Sequence, residues 1–213
     1  MHLVLPTRQL YNSRQMDSPI SHKLRIRVQE AYSAAAERPE AGHPFPVGRS
    51  FAESLGYPCD MLDILPETSK DAFSGVSNVS LFADLSPGAT VLDLGCGAGL
   101  DSLIAARRVG LDGVVIGVDF SEPMLSRARQ AAFQAELHNV LFCRTDAERL
   151  PFIDGEIETV VVNGIFNLNP AREAIFSELA RVLRPGGAAF VAELILQQPL
   201  PNQDRASETN WFA

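Results

Sequence analysis

Val91-Leu92-Asp93-Leu94-Gly95-Cys96-Gly97-Ala98-Gly99-Leu100-Asp101 is the stretch on which the fold turns. A short apolar run ends in three glycines at alternate positions, and a helical pattern follows at once. Glycine lets the main chain turn sharply and approach a ligand without Cβ interference, and the helix behind it presents free amide donors. The same alternation continues downstream, with strands predicted at Thr90 to Leu94, Val114 to Asp119, Val140 to Thr145, Ile157 to Asn163 and Ala188 to Leu194. Such nearly continuous apolar runs suit parallel strands covered on both faces. Helices are predicted between them at about Gly99 to Val109, Ser121 to Glu136 and Pro170 to Leu183. In the last, Ile175, Phe176, Leu179, Val182 and Leu183 form one apolar stripe. The pattern implies an α/β, doubly wound, mostly parallel sheet with right-handed crossovers. Ligands of such sheets bind at the carboxyl ends of the strands, where the strand order reverses.

Upstream of the turn signal Ser86-Pro87-Gly88 the chain reads differently. Residues 1–20 mix Pro6, Pro19 and polar residues without a sustained period, as a loose tail does. Ser21 to Arg38 favours helix, with shorter helical pieces at Arg49 to Leu55 and Asp60 to Leu65, so residues 21–85 are expected to form a helical cap. Residues 86–213 then form the α/β core. Only 19 residues follow Leu194, Pro199 and Pro201 among them, too few for a further helix and hairpin, so the core is expected to be cut short on its C-terminal side. The fifth strand would then expose an unpaired edge, which invites a homodimer, aggregation or lost stability.

Composition narrows the partners. With 213 residues, 46% hydrophobic and 21% charged, the chain has the make-up of a folded domain with a sizeable core. The net charge of −8 repels phosphate-coated partners, so nucleic acid is not expected. No apolar run approaches the roughly 18 residues of a membrane helix, and the first residues carry no secretory pattern. Three cysteines, Cys59, Cys96 and Cys143, suit a reducing cytoplasm better than a disulfide framework. No His, Cys or carboxylate cluster has metal-ligand spacing, and no residue is singled out as a catalytic base.

The chemistry sits at the strand ends. A dinucleotide fingerprint requires glycine where Leu100 stands, and a pyrophosphate would meet the carboxylate of Asp93. An acid there suits a cation instead, such as S-adenosyl-L-methionine, which has an ammonium and a sulfonium and no phosphate. Asp119 ends the second strand 26 positions on and suits the two hydroxyls of a ribose. Asp146 lies 27 positions after that, placed to accept from an adenine amino group while the Ala147 amide donates to the ring. Phe120 and Met124 supply apolar walls for the base. Asn163, at the mouth of the fourth strand, can contact the methionine part or the acceptor. Read without a ligand, the glycines make a tight strand-to-helix turn, Asp119 caps a helix, and Cys96 fills a small space.

This combination resembles the class I, Rossmann-like S-adenosylmethionine-dependent methyltransferases from about Val91 to Leu194. The loop motif D-x-G-x-G-x-G stands as Asp93, Gly95, Gly97 and Gly99; the acids of the next two strands stand as Asp119 and Asp146; the pre-strand turn stands as Leu183, Pro185, Gly186 and Gly187. The resemblance implies that Asp93, Gly95, Cys96, Gly97, Gly99, Asp119, Phe120, Met124, Asp146, Ala147 and Asn163 hold the cofactor. It also implies methyl transfer to a small-molecule acceptor beneath the cap. Gly75-Val76-Ser77-Asn78 and Val162-Asn163-Gly164-Ile165-Phe166-Asn167-Leu168 look like the arsenite methyltransferase branch, whose cysteines correspond here to Val76 and Gly164. Soft thiolates suit a thiophilic centre, so their replacement leaves an organic acceptor at least as suitable. The quinone-pathway C-methyltransferases share the core motifs. Two other readings are a non-catalytic S-adenosylmethionine-binding or interaction protein and, more remotely, a nicotinamide oxidoreductase.

Overall fold

The computed structural model describes residues 19–195 of the chain. Five helices come first: α1 (Pro19–Glu37), α2 (Arg49–Ser54), α3 (Cys59–Asp63), α4 (Glu67–Lys70) and α5 (Val79–Phe82). The alternating part follows as β1 (Thr90–Leu94), α6 (Leu100–Val109), β2 (Val114–Asp119), α7 (Glu122–Gln134), β3 (Val140–Arg144), β4 (Ile157–Asn163), α8 (Arg172–Val182) and β5 (Leu183–Ala192). The strands make one sheet of order β3-β2-β1-β4-β5, and every pairing is parallel. The order reverses between β1 and β4, which opens a crevice beyond their carboxyl ends.

Strand pleating sends alternate residues to opposite layers. Val91, Val115 and Val161 join Leu100, Leu103 and Ile104 of α6 in one apolar cluster, together with Tyr57, Leu62 and Phe73 from the segment before the sheet. Leu92, Leu94, Val160 and Val162 point the other way and meet Ile175, Leu179 and Val182 of α8. The predicted apolar stripe of α8 therefore splits, because Phe176 is half exposed and stacks on Phe166 instead of entering the core. Local sequence sets the helix starts. The Ser121 side chain caps α7 by accepting from the Met124 amide, with Pro123 in the first turn, while Arg107 and Arg108 face the negative end of α6.

The N-terminal helices are tied to the sheet layer by polar contacts as well as apolar ones. Arg127 of α7 donates to the carbonyls of Thr68 (3.0 Å) and Ala36 (3.1 Å) and pairs with Asp71. Arg108 of α6 reaches the Ser80 and Leu81 carbonyls. The buried Lys70 ammonium is answered by the Leu62 carbonyl (2.9 Å) and Glu67 (2.6 Å).

Some expectations shift. The loose tail lies outside the described residues except for Pro19 and Ile20, which begin α1. The periodicity does not predict α4 and α5, each being a single turn. β5 starts at Leu183, five residues before its predicted start at Ala188. Leu183 pairs with Ile157 and Ala188 with Thr159, so the Pro185-Gly186-Gly187 turn is a bulge inside the strand, with Gly186 at φ +83°. The expected loss of the last strands falls partly on residues outside those described; among the described residues β5 is an edge strand.

Gly99 precedes α6 at φ +87°, and a Cβ there would stand 3.0 Å from the Ala128 Cβ of α7. Gly99→Ala is expected to lower unfolding free energy by about 1 to 2 kcal/mol through the left-handed backbone alone, read from denaturant titration. An unchanged midpoint and slope would show that the loop relaxes freely.

Candidate functional site

The β1–α6 loop, the ends of β2, β3 and β4, one face of α1 and residues 69–74 enclose a cavity of about 430 Å³. That volume lies in the range of small-molecule sites. Asp93, Gly95, Cys96 and Gly97 form its floor, and Asp119, Phe120 and Met124 one wall. Asp146, Ala147 and Asn163 complete the set of predicted residues that line it. Gly99 is not among the lining residues; its positive φ and its approach to Ala128 pack the loop against α7.

At the floor, the β1 strand carries Asp93 into the interior, where its carboxylate accepts from the Ser102 hydroxyl (2.5 Å). Asp101, in the first turn of α6, lines the same cavity, and no motif in the sequence singles it out. It accepts from the Tyr57 phenol (2.6 Å) and the Asn163 amide (2.9 Å). Burial first, and the neighbouring Asp101 charge second, push Asp93 up to about 8, and burial likewise raises Asp101. Burial and the charge of Asp101 keep the Tyr57 phenol protonated, as a donor. Asp119 is raised by burial but accepts from the Gly97 amide (2.9 Å) and the Ser121 amide (2.8 Å), which favour its charge. None of the ion pairs among the described residues involves Asp93, Asp101 or Asp119.

Three other predicted residues line the cavity with contacts to the protein that the sequence does not show. Asn163 spends both ends of its amide on the protein: its oxygen accepts from the Val76 and Ser77 amides, and its nitrogen donates to the Ser77 carbonyl and Asp101. It clamps residues 75–77 to β4, so its contribution to the wall is positional. Asp146 is 58% exposed and paired with Arg25 of α1 at 2.8 Å. Cys96 packs its sulfur against β2, 3.0 Å from where a Cβ on Gly117 would lie, and burial raises its thiol so that it stays neutral.

One face of α1 closes the roof. Arg25, Gln29 and Ser33, spaced four residues apart, reach Asp146, the Phe120 carbonyl (3.4 Å) and the Ser121 hydroxyl (3.0 Å). Between them Val28 and Tyr32 line the cavity, and Tyr32 stacks on Phe45 at 4.4 Å. Gly95 is needed where it stands, since a Cβ there would run into the Ile165 side chain from the loop after β4. Val76 sits 2.9 Å from where a Cβ on Gly164 would be, so the two positions that resemble cysteine sites are in contact and carry no sulfur.

The family described as Methyltransferase domain matches residues 85–212, more than half of the chain, and the chain belongs to it. Among curated relatives, an arsenite methyltransferase of Halobacterium salinarum is 39% identical over 153 residues, covering 72% of this chain and 39% of that protein. A demethylmenaquinone methyltransferase of Listeria monocytogenes is 40% identical over 101 residues, 47% of this chain and 42% of that protein. The chain thus spans less than half the length of either. Among solved structures, the arsenic (III) S-adenosylmethionine methyltransferase of Chlamydomonas reinhardtii superposes with TM-score 0.58 at 29% identity, over 74% of this chain and 52% of that one. An S-adenosylmethionine-dependent methyltransferase from Aquifex aeolicus, 22% identical, shares the fold with TM-score 0.51 over 77% of this chain and 81% of that one.

The raised carboxyl of Asp93 sets a pH dependence. A carboxyl whose folded pKa exceeds its ordinary 3.8 stabilises the ligand-free fold below that value and loses the contribution as pH rises through about 8. The melting temperature of the free protein is therefore expected to fall between about pH 5 and pH 8, and Asp93→Asn to flatten that fall. A wild-type profile already flat over this window would contradict the assignment.

Proposed function

We propose that the chain binds S-adenosyl-L-methionine in this cavity and transfers its methyl group to a small-molecule acceptor. The observation that carries the reading is a floor of buried carboxyl groups with no cation paired to them among the described residues, beside a glycine loop at the switch point of a parallel sheet. The residues fit the cofactor: Asp93, with Asp101 beside it, answers an ammonium; Asp119 keeps lone pairs for two ribose hydroxyls beyond its two backbone donors; Phe120, Met124 and Ala147 wall the base. Bound there, S-adenosylmethionine supplies an electrophilic methyl on a sulfonium. The protein's share is orientation and exclusion of water, with Tyr32, Val28 and Phe73 covering the site from above. Residues 21–85 serve in this reading as the cap, residues 86–213 as the cofactor-binding core, and the site lies in the cytoplasm without a nucleic-acid partner. The open edge of β5 is the proposed contact for a second copy, which sedimentation of the purified chain checks.

Arsenite methyltransferase and demethylmenaquinone methyltransferase activities belong to the relatives. Val76 against Gly164 presents hydrocarbon where thiolates would be required to hold a trivalent metalloid, so organic acceptors are expected to outpace arsenite with this chain. Labelled methyl transfer to arsenite, a quinol and metabolite extracts decides this; transfer to arsenite alone would reverse the acceptor reading. Calorimetry decides the cofactor. S-adenosylmethionine and S-adenosylhomocysteine are expected to bind and NAD not, and Asp119→Ala to weaken donor affinity by about 1 to 3 kcal/mol. Heat with NAD alone would remove the proposal, and unchanged affinity in folded Asp119→Ala would remove that residue from the site.

A further inference from the structure

Asp101 joins the floor of the cavity to the segment that precedes the sheet. Its Oδ1 accepts from the Tyr57 phenol at 2.6 Å and its Oδ2 from the Asn163 amide at 2.9 Å. Both donors go on to hold one short stretch of backbone. Asn163 Oδ1 accepts from the amides of Val76 (2.8 Å) and Ser77 (3.1 Å), Asn163 Nδ2 also donates to the Ser77 carbonyl (2.7 Å), and the Tyr57 phenol lies 3.2 Å from that carbonyl. The fit is close, since a Cβ on Gly75 would stand 2.6 Å from Asn163 Nδ2. Phe73 and Ser74, just before this stretch, line the cavity, and Val76 lies against Gly164 at the start of the loop after β4. Residues 76–77 thus belong to the acceptor side of the site and depend on a carboxyl group at its floor.

We propose that Asp101 is a positioning residue for methyl transfer: through Tyr57 and Asn163 it holds residues 76–77, and the ammonium of the bound cofactor tightens that hold, so the acceptor side is completed once the cofactor is in place. The inference rests on the cofactor reading above. An ionised carboxylate has only acceptors and answers two donors at once, whereas a protonated one turns an O–H toward the Tyr57 phenol or the Asn163 amide. Burial disfavours the ionised form of Asp101 in the free protein. A cation at the floor restores that form through space, so no atom of Asp101 has to touch the ligand. Hydrogen bonds to an ionised acceptor are about twice as strong as neutral ones, and the ligand's charge therefore reaches residues 76–77 as a firmer clamp. Asp93 shares the floor but accepts from Ser102 of α6, so the connection to the segment before the sheet belongs to Asp101.

Amide hydrogen exchange at Val76 and Ser77 is the test, because Asn163 holds these two amides. The probes are S-adenosylhomocysteine and 5′-methylthioadenosine, each at saturation, which differ by the ammonium-bearing arm. In the wild-type chain the first is expected to slow exchange at both amides about tenfold more than the second, the scale of a hydrogen bond to a charged group. In Asp101→Asn, which cannot ionise, the two ligands are expected to act alike, within about twofold. Tyr57 is not among the residues lining the cavity. Tyr57→Phe is therefore expected to keep S-adenosylhomocysteine affinity within about threefold while the tenfold difference shrinks to about threefold, and it carries the test if Asp101→Asn does not fold. A residue that merely held the fold would speed exchange equally in the free and both bound states, leaving the difference between ligands unmoved. Equal protection by the two ligands in the wild-type chain, or the full difference kept in either variant, overturns this proposal alone. Failure of the wild-type chain to bind S-adenosylhomocysteine overturns it together with the cofactor reading.

Discussion

Asp93, Asp101 and Asp119 are buried around one cavity, their immediate partners are hydroxyls and amides, and none of the ion pairs among the described residues involves them. Ionising carboxyls buried in this way is unfavourable, which raises Asp93 and Asp101, and hydrogen bonds offset only part of the cost. A core that needed only to fold would be better served by neutral side chains at Asp93 and Asp101. The arrangement becomes favourable when a cation with the right shape enters, and this is the sense in which the free fold is preorganised for a positively charged cofactor.

The same carboxylates tie the two parts of the chain together. Tyr57, from before the sheet, donates to Asp101 at the start of α6, and Asn163 of β4 donates to the same group while clamping residues 75–77. On the opposite side, α1 lays Arg25, Gln29 and Ser33 along the rim made by β2 and β3. Roof and rim therefore meet through polar contacts around the cavity and through an apolar cluster in which Ala35 and Ala36 of α1 pack with Ala98 and Met124. The exposed Arg25–Asp146 pair adds little of its own to this closure.

The frame is largely legible because it is written in local pattern. Strands β1, β2 and β4 match their predicted bounds, since each is a short, mostly apolar run; β1 stops before Gly95, and β2 and β4 end in Asp119 and Asn163. Ten of the residues assigned to the site line the cavity for the same reason: position at a strand end follows from the strand. What is not legible depends on partners distant in the chain. Asp101 gains its meaning from Tyr57, 44 residues earlier. Gly99 belongs to the glycine motif and packs the loop against α7, which the close approach of Ala128 reveals and the motif alone does not. The bulge in β5 escapes a sequence reading because a Pro-Gly-Gly run signals a turn before a strand as readily as an interruption within one.

The central claim is that the buried carboxyl groups at the floor, which no ion pair of the described residues engages, recognise the positive end of the cofactor by ionising against it. Its most direct measurement is the ratio of dissociation constants for S-adenosylhomocysteine and 5′-methylthioadenosine, which share the nucleoside and differ by the ammonium-bearing arm. A preference of about 100-fold or more for the former agrees with a desolvated charge pair; affinities within about threefold of each other would contradict it.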